Sequence, residues 1–128
     1  MNGNYLLDTN VFINAIERQL RLPPAHYAYS VITELELLAF PGLLPQEEHA
    51  IKVILAQLTR VELDHQVKTE TIKVRRSTQM KLPDSIISAS ASASASAFVA
   101  SSTLFTDDIK LAAKHSGNVI SLDALLSR

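Results

Sequence analysis

Short apolar runs alternate along the chain with stretches in which apolar residues recur at helical spacing. Phe12, Ile16 and Leu20 form one such helical stripe. The runs that predict strands are YLLD at 5–8, HYAYSVI at 26–32, RVEL at 60–63, TLFT at 103–106 and NVISL at 118–122. Regular alternation of strands and helices predicts an α/β fold with a mainly parallel sheet covered on both faces.

Local start and stop signals define the other helices. Thr33 and Glu36 have the spacing of a capping box, which predicts a short helix that ends at Pro41–Gly42. The same rules predict an amphipathic helix from Pro45, a charged helix over 65–80, a helix near 108–115 before Gly117, and a short helix at the end of the sequence.

A run of alternating Ser and Ala occupies residues 88–97 and follows Pro83 and Asp84. A period of two suits a strand, but this run has no bulky face to bury. Ala is the best helix former, and a proline followed by a carboxylate suits the first turn of a helix. We therefore expect a helix from Asp84 to about residue 101. Its packed side would include Ile87, Ala91, Ser94 or Ala95, and Phe98.

The bulk composition narrows the class of protein without naming a function. A chain of 128 residues with 47% hydrophobic residues fits one globular domain over 1–128. The sequence has no cysteine, no signal-like leader and no long apolar span, which predicts a cytoplasmic protein without a membrane segment. Its net charge of −1 gives no general attraction for nucleic acid, so such binding would need a local basic patch.

Four acids are placed where the predicted topology can bring them together. Asp8 and Asp107 follow predicted strands, and Glu36 and Asp84 lie near helix starts, so all four can reach the carboxyl edge of a parallel sheet. Clustered carboxylates repel one another unless a cation intervenes. Oxygen ligands favour Mg²⁺ or Mn²⁺, and the four histidines show no zinc-like spacing.

The sequence resembles the PIN domain family, in particular the VapC-type ribonucleases of bacterial toxin–antitoxin pairs. Each of the matching motifs is short, but together they follow the family's order and span nearly the whole chain. They are LLDTNVFI at 6–13, SVITELELL at 30–38, KLPDSIISASA at 81–91 and LFTDD at 104–108. The Ser/Ala run after the third motif differs from the mixed helix of many relatives.

This resemblance implies a PIN-type α/β/α sandwich that acts as a Mg²⁺-dependent endoribonuclease. It makes Asp8, Glu36, Asp84 and Asp107 the acidic quartet that binds the metal. Asp8 and Asp84 would be direct ligands, and Glu36 and Asp107 would complete the shell or orient its waters. The polar supports that it implies are Asn10 and Thr106. It also implies an RNA substrate, a homodimer, and a small antitoxin that covers the site.

Several residues have a second interpretation. Glu34 is an alternative to Glu36, which also fits the capping box, and Asp84 also fits a helix-dipole partner. Asp108 is an alternative to Asp107; if Asp107 faces the site, Asp108 is the N-cap of the next helix. The basic stretch over 68–81 is either a solvated helix face or a contact for RNA phosphates. Its candidate phosphate contacts are Lys73, Arg75, Arg76 and Lys81.

Two other classes of function compete with the nuclease. A receiver-type phosphorylation switch also gathers acids at strand ends, but it needs an acidic pair after the first strand, where this chain has Asp8 followed by Thr-Asn. A PIN-like domain that binds RNA or protein without cutting is the other, and the intact quartet argues against it. Within the nuclease class, DNA is the alternative substrate.

Overall fold

A five-stranded sheet, in which every strand pairing is parallel, forms the centre of the computed structural model. The structure describes residues 3–93 and 103–127. The strands are β1 (Asn4–Leu7), β2 (His26–Ser30), β3 (Thr59–Val61), β4 (Thr103–Phe105) and β5 (Val119–Ile120). Their order across the sheet is β3-β2-β1-β4-β5. The predicted α/β class with a parallel sheet is confirmed.

Helices cover both faces of this sheet. They are α1 (Thr9–Glu17), α2 (Val31–Leu38), α3 (Pro45–Ala56), α4 (His65–Thr78), α5 (Leu82–Ala93), α6 (Ile109–Lys114) and α7 (Leu122–Leu126). Among the residues that the structure describes, no helix is long and apolar enough to cross a membrane.

Side chains that alternate along the strands build two separate cores. Leu6 on β1 joins one core, in which Val74 of α4 and Ile87 of α5 also pack. Its neighbours Tyr5 and Leu7 join the other core, which contains residues of α1, α3 and α7. Because successive side chains of a strand point to opposite faces, this division is the one expected for an α/β/α sandwich.

The strand order places a topological switch point beside β1. From β1 the chain continues to β2 and then β3 on one side, whereas β4 and β5 lie on the other side. The crevice outside the carboxyl ends of β1 and β4 is therefore the place where an open parallel sheet usually binds its ligand. Asp8 directly follows β1, and Thr106 directly follows β4.

Helix α5 contains the described part of the Ser/Ala run and packs with almost no exposed side. Every residue from Ser85 to Ala91 is buried, and α5 contacts three strands as well as α4 and α2. The helix prediction is confirmed to Ala93, with a start at Leu82. Residues 88–91 are buried all round the helix, so packing is not confined to the expected side with Ile87 and Ala91. Ser94, Ala95 and Phe98 lie outside the described residues.

The start of α2 differs from the prediction. The strand β2 ends at Ser30 rather than Ile32, and Ser30 caps α2 by accepting a hydrogen bond from the Ile32 N–H. Thr33 is therefore a buried residue within the helix, and the predicted capping box with Glu36 is wrong. Both side chains are free for other contacts at the end of the sheet.

Candidate functional site

Asp8 lies at the centre of the carboxyl edge of the sheet and is only 5% exposed. Its backbone N–H donates to the carbonyl of Phe105 on β4 at 2.8 Å. Its carboxylate accepts from the Thr9 N–H at 2.8 Å and from the Thr106 hydroxyl at 2.7 Å. Two neighbouring strands and the first turn of α1 thus hold this carboxylate in one position.

Burial raises the pKa of the Asp8 carboxyl to about 6. The cause is the loss of hydration, which the hydrogen bonds from Thr106 and Thr9 only partly offset. The negative charges of Asp84 and Asp108 raise the pKa further. A buried acid under these influences is a candidate for a functional group.

Asp84 lies in the first turn of α5 and belongs to the same electrostatic cluster. Partial burial raises the pKa of its carboxyl, and the charges of Asp108 and Glu36 add to that rise. Lys81 acts in the opposite direction and lowers the pKa of Asp84. Asp84 therefore lies close enough to Asp8 for its charge to raise the pKa of that carboxyl.

Glu36 reaches the cluster from α2 through a pair of threonine hydroxyls. The Thr9 hydroxyl lies 2.7 Å from a Glu36 carboxylate oxygen and 3.1 Å from the hydroxyl of the buried Thr33. Glu34 instead forms an ion pair with Arg60 at 3.2 Å. Of the two candidate acids on α2, Glu36 is the one whose charge acts on Asp84.

The two adjacent aspartates after β4 are arranged differently from the prediction. The carboxylate of Asp107 accepts from the Asn14 side-chain amide at 3.0 Å and from the Leu122 N–H at 2.9 Å. Asp107 thereby joins α1 to the start of α7.

Asp108, the alternative to Asp107 in the sequence analysis, lies close enough to the cluster for its charge to act on Asp8 and Asp84. It is the N-cap of α6, since its carboxylate accepts from the N–H groups of Lys110 and Leu111. Its charge nevertheless raises the pKa of both Asp8 and Asp84. The sequence analysis treated the N-cap of α6 and a place in the acidic cluster as alternative roles for Asp108. In the structure Asp108 is the N-cap and also lies beside the cluster.

The two predicted polar supports have different partners. Thr106 donates to Asp8 and also accepts from the Asp108 N–H at 3.0 Å, so it connects two acids of the cluster. The Asn10 side-chain oxygen accepts from the Asp107 N–H at 3.3 Å and so fixes the backbone after β4.

Three residues of the site were missed from the sequence. Thr9 and Thr33 position Glu36, and Asn14 holds Asp107. Asn14 lies one helical turn after Asn10, a spacing that places both on one side of α1. That spacing was a signal for Asn14, whereas the contact between Thr9 and Thr33 depends on the packing of α1 against α2.

The donor set fits a hard divalent cation. Asp8, Asp84, Asp108 and Glu36 supply only carboxylate oxygens, and Lys81 is the one cation that acts on Asp84. Within 3–93 and 103–127, no three acidic or histidine side chains already stand close enough to hold a metal ion. Mg²⁺ needs only one or two carboxylates because it keeps several of its waters. Asp8 and Asp84 satisfy that requirement in number and chemistry.

The candidate phosphate contacts on α4 do not form one patch. Lys73, Arg75 and Arg76 are all exposed, but Lys73 and Arg75 project about 160° apart around the helix axis. Lys81, which precedes α5, is exposed and is the member of the set whose charge acts on Asp84. The single basic face that the sequence suggested is therefore divided between two sides of α4.

An apolar groove lies on the other side of Glu36, between α1, α2 and α3. Its volume is about 340 Å³, and its lining includes Ile13, Ile16, Phe40 and Ile51. Phe40 is 65% exposed. Glu36 itself lines the groove, so the groove adjoins the acidic cluster.

Comparison with solved structures confirms the fold that the sequence motifs implied. VapBC2 from Rickettsia felis bound to a promoter DNA fragment matches with a TM-score of 0.75 and 18% identity, over 94% of this chain and 99% of that chain. DNA-bound VapBC from Salmonella typhimurium matches with a TM-score of 0.74 and 20% identity, over 94% and 98%. The chain therefore has the PIN-like α/β/α sandwich found in VapBC toxin–antitoxin structures.

The same fold occurs in a toxin–antitoxin complex from Klebsiella pneumoniae, with a TM-score of 0.70 and 24% identity over 91% of this chain and 96% of that chain. No family model and no curated protein matches the sequence.

Proposed function

We propose that this protein is a metal-dependent endoribonuclease that hydrolyses phosphodiester bonds in RNA and acts as the toxin of a toxin–antitoxin pair. The observation that carries the proposal is the buried carboxylate of Asp8, whose pKa is raised to about 6 beside two further acids. Such a cluster destabilises a protein unless a cation offsets the repulsion. The fold shared with VapBC structures and the order of the four motifs support the nuclease class.

Asp8 and Asp84 would hold Mg²⁺ or Mn²⁺ directly, with Glu36 and Asp108 orienting its waters. When bound, the ion polarises the scissile phosphate and lowers the pKa of the attacking water. Asp107 has a positioning role in this scheme, because its carboxylate is engaged by Asn14 and the start of α7.

The chain supplies carboxylate oxygens that are held in fixed positions and partly shielded from water. Thr106 and the Thr9 N–H fix both oxygens of Asp8. The Thr9 hydroxyl fixes Glu36, whose side chain is open to solvent and can orient a water. Since these side chains are held before substrate binds, little reorganisation is needed when the phosphate arrives.

Cleavage of RNA under metal control tests this function. Purified protein should cut a single-stranded RNA with Mg²⁺ or Mn²⁺ and lose that activity in EDTA, with the matching DNA strand as the substrate control. Activity that persists in EDTA contradicts the metal mechanism, and equal cleavage of DNA contradicts the choice of RNA.

The adjacent aspartates provide a matched pair for locating the site. Asp108→Asn should lower cleavage by at least about tenfold because it removes a charge next to Asp8 and Asp84. Asp107→Asn and Glu34→Gln should retain most of the cleavage, since both carboxylates have structural partners. If Asp107→Asn is inactive and Asp108→Asn is active, the assignment must be reversed.

The partner that we propose is a small antitoxin protein whose apolar segment lies in the groove between α1, α2 and α3. The supporting observations are that the matched structures are toxin–antitoxin complexes and that the groove reaches Glu36. Phe40→Asp should weaken that complex at least tenfold and leave cleavage by the free protein unchanged. If Phe40→Asp binds the antitoxin as tightly as the wild type does, the groove is not the docking site.

We also propose that the chain forms a homodimer, as the family resemblance implies. Sedimentation of the purified protein at several concentrations should give twice the mass of the chain. A monomer at all concentrations would contradict this assembly without affecting the proposed chemistry.

A further inference from the structure

The geometry points to a binding subsite for a backbone phosphate of the RNA strand in the cavity between α4, α5 and α6, with Lys73 and Lys114 as its cationic groups. This subsite rests on the proposed nuclease function and adds a path for the strand beside the acidic cluster. Lys114 lies far from α4 in sequence and was not among the predicted contacts.

The cavity has a volume of about 210 Å³ and a polar rim. Lys73 and Ser77 of α4 form one side of the rim, and Lys114 and Ser116 form the other; all four are exposed. The floor includes the buried Ser88 of α5. Ammonium and hydroxyl groups are donors, and the oxygens of a phosphate are acceptors.

Contacts within the structure hold the walls of this cavity in place. The Lys114 ammonium donates to the Thr78 carbonyl at 3.3 Å, which joins the end of α6 to the end of α4. The Ser88 hydroxyl lies 2.6 Å from Nδ1 of the buried His115. The same two links place Lys114 and Ser116 across from Lys73, so the rim is formed by the packing of three helices.

The charges of the rim favour an anion. In the described part of the chain, neither Lys73 nor Lys114 forms an ion pair with a carboxylate. Glu70 also lines the cavity, so two lysines and one glutamate leave a formal charge of +1. Burial lowers the pKa of His115, so its ring is neutral at pH 7 and adds no charge.

The position of the cavity relates it to the proposed catalytic site. Ser88 lies one turn after Asp84, on the same side of α5 and about 6 Å further along the axis. Lys114 lies about 9 Å along α6 from Asp108. Both axial separations are short enough for one RNA strand to extend from the acidic cluster to the cavity. An RNA whose scissile phosphate is at Asp8 can therefore place a neighbouring phosphate between the two lysines.

Binding of an uncleaved RNA measures this subsite apart from catalysis. We would use the Asp8→Asn protein, a labelled single-stranded RNA, and a series of salt concentrations. Lys73→Ala and Lys114→Ala should each weaken binding about two- to fivefold and lower the slope of log K against log salt by about 0.7. Lys68→Ala is the matched control, because Lys68 is an exposed lysine that projects about 140° away from Lys73 on the same helix.

A second arm distinguishes a phosphate of the strand from free phosphate. Inorganic phosphate should shift the backbone amide signals of Lys114 and Ser116 only at millimolar concentration, whereas the RNA should shift them at its own dissociation constant. The subsite is wrong if Lys68→Ala weakens binding as much as the two cavity variants, or if free phosphate and RNA act alike. If the wild-type protein binds RNA through these lysines but never cuts it, the nuclease proposal fails and the subsite remains.

Discussion

Helix α5 and the carboxyl edge of the sheet both bury polar side chains. The hydrogen-bond partners of these side chains differ between the two regions. On α5, the Ser85 and Ser90 hydroxyls donate to backbone carbonyls of nearby residues, and the Ser88 hydroxyl pairs with His115. These hydroxyls carry no charge, and the partners of Ser85 and Ser90 lie four or five residues away along the chain. At the edge of the sheet, Asp8 is also hydrogen-bonded, yet its pKa remains raised.

This difference separates buried polar groups that serve packing from those that point to a functional site. A hydroxyl that bonds to its own helix costs little and lets a small side chain fill a crowded place. A carboxylate that is buried next to other acids costs free energy in its charged form. The described part of the Ser/Ala run is thus packing material within α5, whereas Asp84 at the head of that helix and the acids beside it are the candidate chemistry.

The largest expected difference is the pH dependence of the metal-free protein. The folded-state pKa of Asp8 is raised from 3.8 to about 6, so folding favours the protonated form. The site's contribution to stability is fully present below pH 3.8 and is lost as the pH rises through about 6, a change of about 3 kcal/mol. Asp8→Asn should flatten this part of the stability profile, measured by urea unfolding in EDTA.

Magnesium should act in the opposite direction on the same protein. At a hundredfold excess over its dissociation constant, Mg²⁺ should stabilise the wild type by roughly 2.7 kcal/mol, and Asp84→Asn much less. Thermal melts with EDTA and with Mg²⁺ provide the comparison. Two results together would contradict this role: a lower melting temperature for Asp84→Asn than for wild type in EDTA, and no effect of Mg²⁺ on the wild type. Asp84 would then only stabilise the start of α5 through the helix dipole.

Overpacking of α5 is expected to have an effect of about 1 to 3 kcal/mol. Ala89 has 0% exposure and Ser92 is partly exposed, so Ala89→Leu should destabilise the fold by that amount and Ser92→Leu by less. Urea unfolding of the two variants measures the difference. If both variants lost the same free energy of unfolding, burial along α5 would not determine where a larger side chain is tolerated.

The smallest effect is expected from removing one hydroxyl of the run. Ser90→Ala removes the 2.7 Å hydrogen bond that the Ser90 hydroxyl donates to the Ile86 carbonyl. That carbonyl belongs to the helix backbone and stays in place without the hydroxyl. We expect a change in unfolding free energy within about 1 kcal/mol and unchanged cleavage of RNA. A large loss of cleavage would show that the run takes part in the chemistry.

Sequence patterns predicted the parts of this molecule that depend on local physics. The apolar run before Asp8 was interpreted correctly, and so was the helix-forming run after Pro83 as far as Ala93, because periodicity and propensity act over a few residues. Ser30 rather than Thr33 caps α2, since β2 ends two residues earlier than the apolar pattern suggested. That boundary depends on pairing with β1 and β3, which no local signal records.

The order of Asp107 and Asp108 could not be predicted for a similar reason. Their directions are set by Asn14 on α1, by the start of α7 and by the cap of α6. Asn14 and the start of α7 come from distant parts of the chain, whereas the cap of α6 is local and could be predicted. The cavity at Lys73 and Lys114 likewise exists only after α4 and α6 pack beside α5.

The most direct test of the account is the titration of the Asp8 side-chain carboxyl carbon by NMR, first in EDTA and then with saturating Mg²⁺. We expect a pKa near 6 in EDTA, because the carboxylate is buried beside Asp84 and Asp108. With Mg²⁺ bound, the ionised form should be favoured and the pKa should fall below its ordinary value of 3.8. A pKa near 4 that does not respond to Mg²⁺ would contradict the claim that this edge of the sheet is a metal site.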